Sequence, residues 1–396
     1  MKTTYIVDSL FTGIEWLTNQ AITVEDGHIL NFEPCKNSKE IKLHGKLTAG
    51  FIDIQTNGGG GVLFNDQPSL STLQTMVQAH GQYGTTGLLP TLITSDSHRL
   101  QKAADSVSQA IKGNMPGVLG IHFEGPHLSV IKKGIHSERH IRSITDVELD
   151  VFCRDDLGVK ILTLAPETVD VDIIRTLVEH DVLVFLGHSN ANYQQAKAAL
   201  DAGARGFTHV FNAMSALTSR EPNMVGAALS DDNSFNGIIL DGYHVDPVTA
   251  RIAYKAKANG KTLLVTDAMS TIGSKQKIFE FDGHKVTLCN DKLVSHTGQL
   301  AGSALTMITA VNNAQSMLNV DLDEALNMAS LYPATCLKLQ STHGQLVEGA
   351  RADFTLLNSE HPSQVLGTWI AGKQIFNLGA NYDKTSRIDR RTAYAI

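Results

Sequence analysis

His188 and His209 each follow a short apolar run, in VLVFLGHS and GFTHVFNA, with a helical stretch between them. As neighbouring parallel strands about 4.8 Å apart, such runs bring two imidazoles together from adjacent strand ends. Neutral imidazoles placed that way suit a transition metal. A lone histidine at such a position more often caps a helix or fills a core; the pair turns the reading towards ligands. Glu124, in GVLGIHFEG, adds a carboxylate. One carboxylate and two imidazoles, with a fourth position open, is the pattern of a catalytic rather than a structural zinc site. His122 is the competing ligand. Period-two alternation puts it on the Glu124 face but one layer deeper, so it is read as a buried, hydrogen-bonded histidine.

Asp267 closes the run TLLVTDAM. A carboxylate opposite a metal is what a hydrolase needs, first as base towards water and then as acid towards the leaving group. A helix N-cap and a fourth metal ligand are the alternatives that this residue alone leaves open. Other apolar runs end in Gln55 and Asn57, in Thr94, in Glu167, and in Asp241 to His244.

These residues need a scaffold that gathers strand ends at one rim. From Leu47 onward, eight nearly continuous apolar runs alternate with helical periodicity: LTAGFIDIQ, TTGLLPTLIT, GVLGIHFEG, VKILTLAP, VLVFLGHS, GFTHVFNA, NGIILDGYH and TLLVTDA. Strands covered on both faces read this way, and eight βα units predict a closed (β/α)8 TIM-like barrel. Such barrels carry their reacting groups at the C-terminal strand ends. The barrel is assigned residues 47–344. Residues 1–46 and 345–396 carry short alternating strands, and they predict one small β-sandwich domain built from both chain ends. Residues 278–296 return to hairpin character around Asp282-Gly283.

A formal charge of −7 and the lack of any basic block exclude a general binder of nucleic acid or anionic membranes. No apolar run reaches the roughly 18 residues a membrane span needs. The four cysteines, Cys35, Cys153, Cys289 and Cys336, are scattered, as in a reduced, cytoplasmic protein. Asp8 and Glu15 interrupt the N-terminal apolar residues, which therefore do not read as a signal peptide. HExxH, GxSxG and Walker motifs are absent. Lys132-Lys133 reads as a solvated pair.

HFEGP at 122–126, GHSNA at 187–191, THVFNAM at 208–214, DGYH at 241–244 and TDAM at 266–269 resemble the N-acetylglucosamine-6-phosphate deacetylases of the amidohydrolase superfamily. The resemblance implies hydrolysis of the acetamide of N-acetyl-D-glucosamine 6-phosphate to D-glucosamine 6-phosphate and acetate. It implies a divalent metal on Glu124, His188 and His209, with zinc expected and iron or cobalt suited to the same ligands. It makes Asp267 the catalytic acid and base, and puts His136 against the acetamido group. The sugar phosphate falls to Asn212, Ala213, Arg220 and His244, with Asp241, Ile135, Leu300, Ala301 and Gly302 completing the pocket. Some of these come from the neighbouring subunit in the family, so a homodimer is expected.

Many amidohydrolases carry His-x-His at the end of the first strand. This chain has Gln55-Thr56-Asn57, and amides are poor transition-metal ligands. One metal ion per subunit is therefore expected, with Gln55 beside it. The same chemistry on an epimer such as N-acetylgalactosamine 6-phosphate is the nearest alternative. A non-catalytic sugar-phosphate-binding barrel is the other, and the complete set of ligands and base argues against it.

Overall fold

The computed structural model describes residues 2–34 and 41–379. Residues 35–40 and 380–396, both assigned from the sequence to the small domain, lie outside the described residues. Eight parallel strands form one sheet: β1 (Phe51–Thr56), β2 (Thr85–Ile93), β3 (Gly120–Glu124), β4 (Val159–Leu164), β5 (Val182–Leu186), β6 (Gly206–Phe207), β7 (Phe235–Ile238) and β8 (Thr262–Leu264). Each pairs with its neighbour in chain order. The sheet closes beyond the ends of β1 and β8, where Asp267 N–H donates to the Gln55 carbonyl at 3.0 Å and Asn57 N–H to the Ala268 carbonyl at 2.9 Å. Helices cover the outside, and side chains such as Phe123, Ile161, Val184 and Phe207 are fully or almost fully buried.

The strands β6 and β8 are shorter than their apolar runs. The chain leaves the sheet early at these points: His209 and Asp267 already adopt left-handed backbone, with φ of 32° and 52°. A run of apolar residues registers burial rather than pairing, so the break escapes periodicity.

Strands from both chain ends form one seven-stranded sheet, in the order 373–377, 365–370, 354–357, 41–49, 2–11, 16–25 and 28–34. It is antiparallel except where Lys2–Phe11 runs parallel to Ile41–Ala49. Its core, around Tyr5, Ile22, Leu47, Phe354 and Trp369, is distinct from the barrel's. Leu47 to Ala49, read as the start of the first barrel strand, instead pair with Phe354 to Leu356 in this sheet. The barrel strand begins at Phe51, after a break at Gly50.

Residues 278–295 form a separate three-stranded antiparallel sheet whose first turn is at Asp282-Gly283. It is tied across the barrel mouth by an Arg139–Asp282 ion pair at 2.5 Å and by the Tyr243 hydroxyl, which donates to the Asn290 carbonyl at 2.7 Å. Among the described residues, no helix is long and apolar enough to cross a membrane.

Candidate active site

Glu124 ends β3, and His188 and His209 follow β5 and β6. Strand order separates them by one strand and then none, so all three point into one rim. Their ligand atoms lie within 4.8 Å of one another. His188 Nε2 and His209 Nε2 are 3.0 Å apart, and Glu124 Oε1 is 3.4 Å and 3.2 Å from them. His188 Nδ1 donates to the Lys132 carbonyl at 3.0 Å, so in the neutral ring Nε2 carries the lone pair.

Three electron-rich atoms this close need positive charge between them, a shared proton or a divalent cation. Burial opposes ionisation of Glu124, yet the closely placed imidazoles of His188 and His209 hold it well below the usual carboxylate range. Burial likewise disfavours a charged His209, but the hydrogen bond and charge of Glu124 push it above its ordinary value. The buried Nδ1 of His209 has no partner among the described residues. The donor set fits a borderline-soft divalent ion.

Local strain accompanies the cluster. His188, His209 and Asp267 all sit at positive φ, 47°, 32° and 52°, which costs a non-glycine residue on the order of 1–2 kcal/mol. Surrounding bonds hold the turns. After His188, the Ser189 hydroxyl and the Asn190 N–H both donate to Glu167 at 2.6 Å. Gly187 must be small, since a Cβ would lie 2.9 Å from both Thr163 Cγ2 and Thr208 Cβ.

Asp267 is buried at the same rim. Asn57 Nδ2 donates to its Oδ1 at 2.7 Å, and Gln55 Nε2 reaches that oxygen at 3.3 Å while donating to Glu124 Oε1 at 2.9 Å. Burial first, and the Glu124 charge second, push the Asp267 carboxyl up to about 6. That poises it to exchange protons near neutrality.

His122 is fully occupied below the rim. Its Nδ1 lies 2.9 Å from the Ile54 carbonyl and its Nε2 2.7 Å from the Thr163 hydroxyl. Burial pushes its pKa down to about 4. It is a structural histidine of the barrel interior.

A cavity of about 170 Å³ opens above Glu124, His188, His209 and Asp267. Of the other residues singled out in the sequence, Ile135, His136, Asn212, Ala213, His244, Leu300 and Gly302 line it. Ala301 is fully buried behind them. Arg220 is exposed on the segment after Ala213 and does not line the cavity. Asp241, expected at the substrate, does not line it either. Its carboxylate accepts the Tyr243 and His244 N–H groups at 2.8 Å and pairs with His244 Nδ1 at 2.7 Å. Asp241 therefore orients His244 rather than facing the cavity.

Several lining residues escaped the sequence. Asn57 was noted as a strand-end amide and a poor ligand but given no role, although it lies just past β1, two residues beyond Gln55, and lines the cavity. Gln299, Met269 and Ile93 also line the cavity. Gln299 follows the inserted sheet, where no periodic signal marks an inward residue.

Residues 47–375 match the model of the amidohydrolase family. The chain is 49% identical over 332 residues to the N-acetylgalactosamine-6-phosphate deacetylase of Shewanella sp. (strain ANA-3), covering 84% of each chain. It is 36% identical over 339 residues to the N-acetylglucosamine-6-phosphate deacetylase of Haemophilus influenzae, covering 85% of this chain and 88% of that one. Among solved structures, the N-acetylglucosamine-6-phosphate deacetylase from Pasteurella multocida superposes with a TM-score of 0.90 at 36% identity, over 94% of this chain and 99% of the other.

Proposed function

This chain belongs to the amidohydrolase family, and from that premise we propose that it hydrolyses the acetamide of N-acetyl-D-glucosamine 6-phosphate to D-glucosamine 6-phosphate and acetate. The observation that carries the reading is the convergence of Glu124, His188 and His209 beside the buried Asp267. We assign a single divalent ion to that triad, zinc by preference, because its ligands are nitrogen and oxygen. Gln55 and Asn57 stand where a second ion would need imidazoles. Such an ion supplies a Lewis acid that polarises a carbonyl and eases the ionisation of water.

The chain's own residues divide the remaining work. Asp267, ionised above about pH 6, takes the proton of the attacking water and returns it to the departing amine. His136, at the cavity wall, donates an N–H to the acetyl carbonyl as negative charge builds there. Gln55 orients Glu124, and Asn57 holds Asp267. His244, with the backbone at Asn212 and Ala213, receives the phosphate, supported by Asp241. Ile135, Leu300 and Gly302 enclose the sugar, with Ala301 packed behind. Arg220 suits a phosphate dianion, and its exposure in the monomer is the reason we assign it to the neighbouring site of a homodimer. A phosphorylated sugar cannot cross a membrane unaided, which favours the cytoplasm as the place of work.

A second reading has its own support. A relative that is 49% identical carries the galactosamine name, so the 4-epimer is the competing substrate. Acetate release from both 6-phosphates and from unphosphorylated N-acetylglucosamine, measured side by side, tests the proposal. Faster turnover of N-acetylglucosamine 6-phosphate supports it. Preference for the galactose epimer selects the second reading. Equal turnover of the unphosphorylated sugar removes the phosphate roles of His244 and Arg220.

A further inference from the structure

Every polar group of Asn57 is engaged except one. Its backbone N–H donates to the Ala268 carbonyl, and its own carbonyl accepts the Phe64 N–H, both at 2.9 Å. Its Nδ2 donates to Asp267 Oδ1 at 2.7 Å and reaches the Asp267 carbonyl at 3.3 Å. The remaining atom, Oδ1, is buried and has no hydrogen-bond partner among the described residues.

The amide cannot be turned round to relieve this. A flipped side chain would set Oδ1 against the Asp267 carboxylate and the Asp267 carbonyl, two acceptors that repel a third. Oδ1 is therefore an acceptor in a fixed orientation, on a residue that is 1% exposed and lines the cavity. A buried acceptor without a donor is costly, and the cavity is where a donor can arrive.

Its place selects that donor. Asp267 passes its proton to the amine nitrogen under the deacetylase reading, so the nitrogen must come within hydrogen-bond reach of the Asp267 carboxyl. Asn57 is bonded to that same carboxyl, and the N–H of the acetamide is the one donor on the reacting group. We propose that Asn57 Oδ1 accepts the acetamido N–H of the substrate, which makes Asn57 a catalytic residue as well as the support of Asp267. The inference rests on the deacetylase reading of the site. With its N–H held by Asn57, the nitrogen turns towards Asp267 the lone pair released from amide resonance as the carbonyl carbon becomes tetrahedral. The proton that Asp267 took from water goes to that lone pair. The C–N bond then breaks with its electrons left on nitrogen, and the new C–O bond stays in acetate.

Two tetrahedral phosphorus mimics of the substrate test this, each with a methylphosphonyl group in place of acetyl and each keeping the 6-phosphate. One is joined to C2 of the sugar through N–H, the other through an oxygen that carries lone pairs where the hydrogen was. Their dissociation constants are measured by calorimetry on the metal-loaded enzyme, so that a variant of low activity can still be read. The wild type is expected to bind the N–H compound about tenfold or more tightly than the oxygen compound. In Asn57→Ala that ratio is expected to fall to within about twofold, whatever happens to either constant alone. Equal binding of both compounds by a wild type that releases acetate overturns the proposal, and that comparison needs no variant to fold. A preference that survives undiminished in Asn57→Ala overturns it too, and gives the N–H to another acceptor. A wild type that neither releases acetate nor binds either compound removes the deacetylase reading, and the inference with it.

Discussion

Asn57 Nδ2 donates to Oδ1 of Asp267 at 2.7 Å, across the seam where the first and last barrel strands meet. This bond favours the ionised carboxylate, while burial and the Glu124 charge oppose it. Asn57→Ala removes the donor and leaves the opposing effects in place. A hydrogen bond to a charged group is worth about 1.5–3 kcal/mol, so the acid limb of the kcat/KM profile should move up by about one to two pH units. In the wild type, activity should fall as pH drops through about 6. A limb that stays put in Asn57→Ala would detach Asn57 from the base.

The ligand triad makes a prediction about stoichiometry. Purified protein should hold one divalent ion per chain, and His209→Ala should hold nearly none. His122→Asn should retain its ion, because both ring nitrogens of His122 are engaged with Ile54 and Thr163. Chelation should also lower the thermal midpoint of the wild type, since an ion at 100 times its dissociation constant contributes about 2.7 kcal/mol. Elemental analysis reading two ions per chain would contradict the single-metal assignment.

The barrel and its rim were legible because buried parallel strands leave nearly uninterrupted apolar runs, and polar residues ending them stand out. Glu124, His188, His209 and Asp267 were found that way. What the runs conceal is where pairing stops. Thr208 and His209 continue an apolar stretch but leave β6 for a left-handed turn. Leu47 to Ala49 pair with Phe354 to Leu356, a partner more than 300 residues away, and local pattern carries no trace of it. Asp241 shows a further limit. Its residue type suits a sugar hydroxyl, but its short side chain is taken up by the N–H groups two and three residues on.

Asp53 lies one layer below the rim, fully buried. It accepts the Gln55 and Thr266 N–H groups at 3.2 and 3.3 Å and is hydrogen-bonded to the Thr266 hydroxyl. Burial pushes its carboxyl up to about 7. The folded state therefore holds a proton that the unfolded chain releases at lower pH. Its stabilising effect is fully present below the unfolded value and is lost as pH rises through about 7. Asp53→Asn imitates the protonated form: its amide can donate to the Thr266 hydroxyl, which passes a proton on towards the Gln55 carbonyl 3.4 Å away. The variant should melt higher than wild type at pH 8, with the gap closing towards pH 4. A gap that does not change with pH would mean that Asp53 folds ionised.

Arg220 separates two versions of the phosphate site. If it serves its own subunit, Arg220→Ala and Asp267→Asn each disable the site of the chain that carries them, and mixing them gains nothing. If it reaches the neighbouring subunit, an Asp267→Asn chain still offers its arginine to the intact Asp267 of an Arg220→Ala partner. Random pairing of the two variants in a twofold-symmetric dimer then rebuilds about a quarter of the sites. Its exposed position, outside the cavity lined by His244 and Asn212, favours the second arrangement. Co-expressed variants should therefore recover acetate release well above either variant alone at substrate levels near the wild-type KM. Activity no greater than the average of the two parents would return Arg220 to its own chain or remove it from the site.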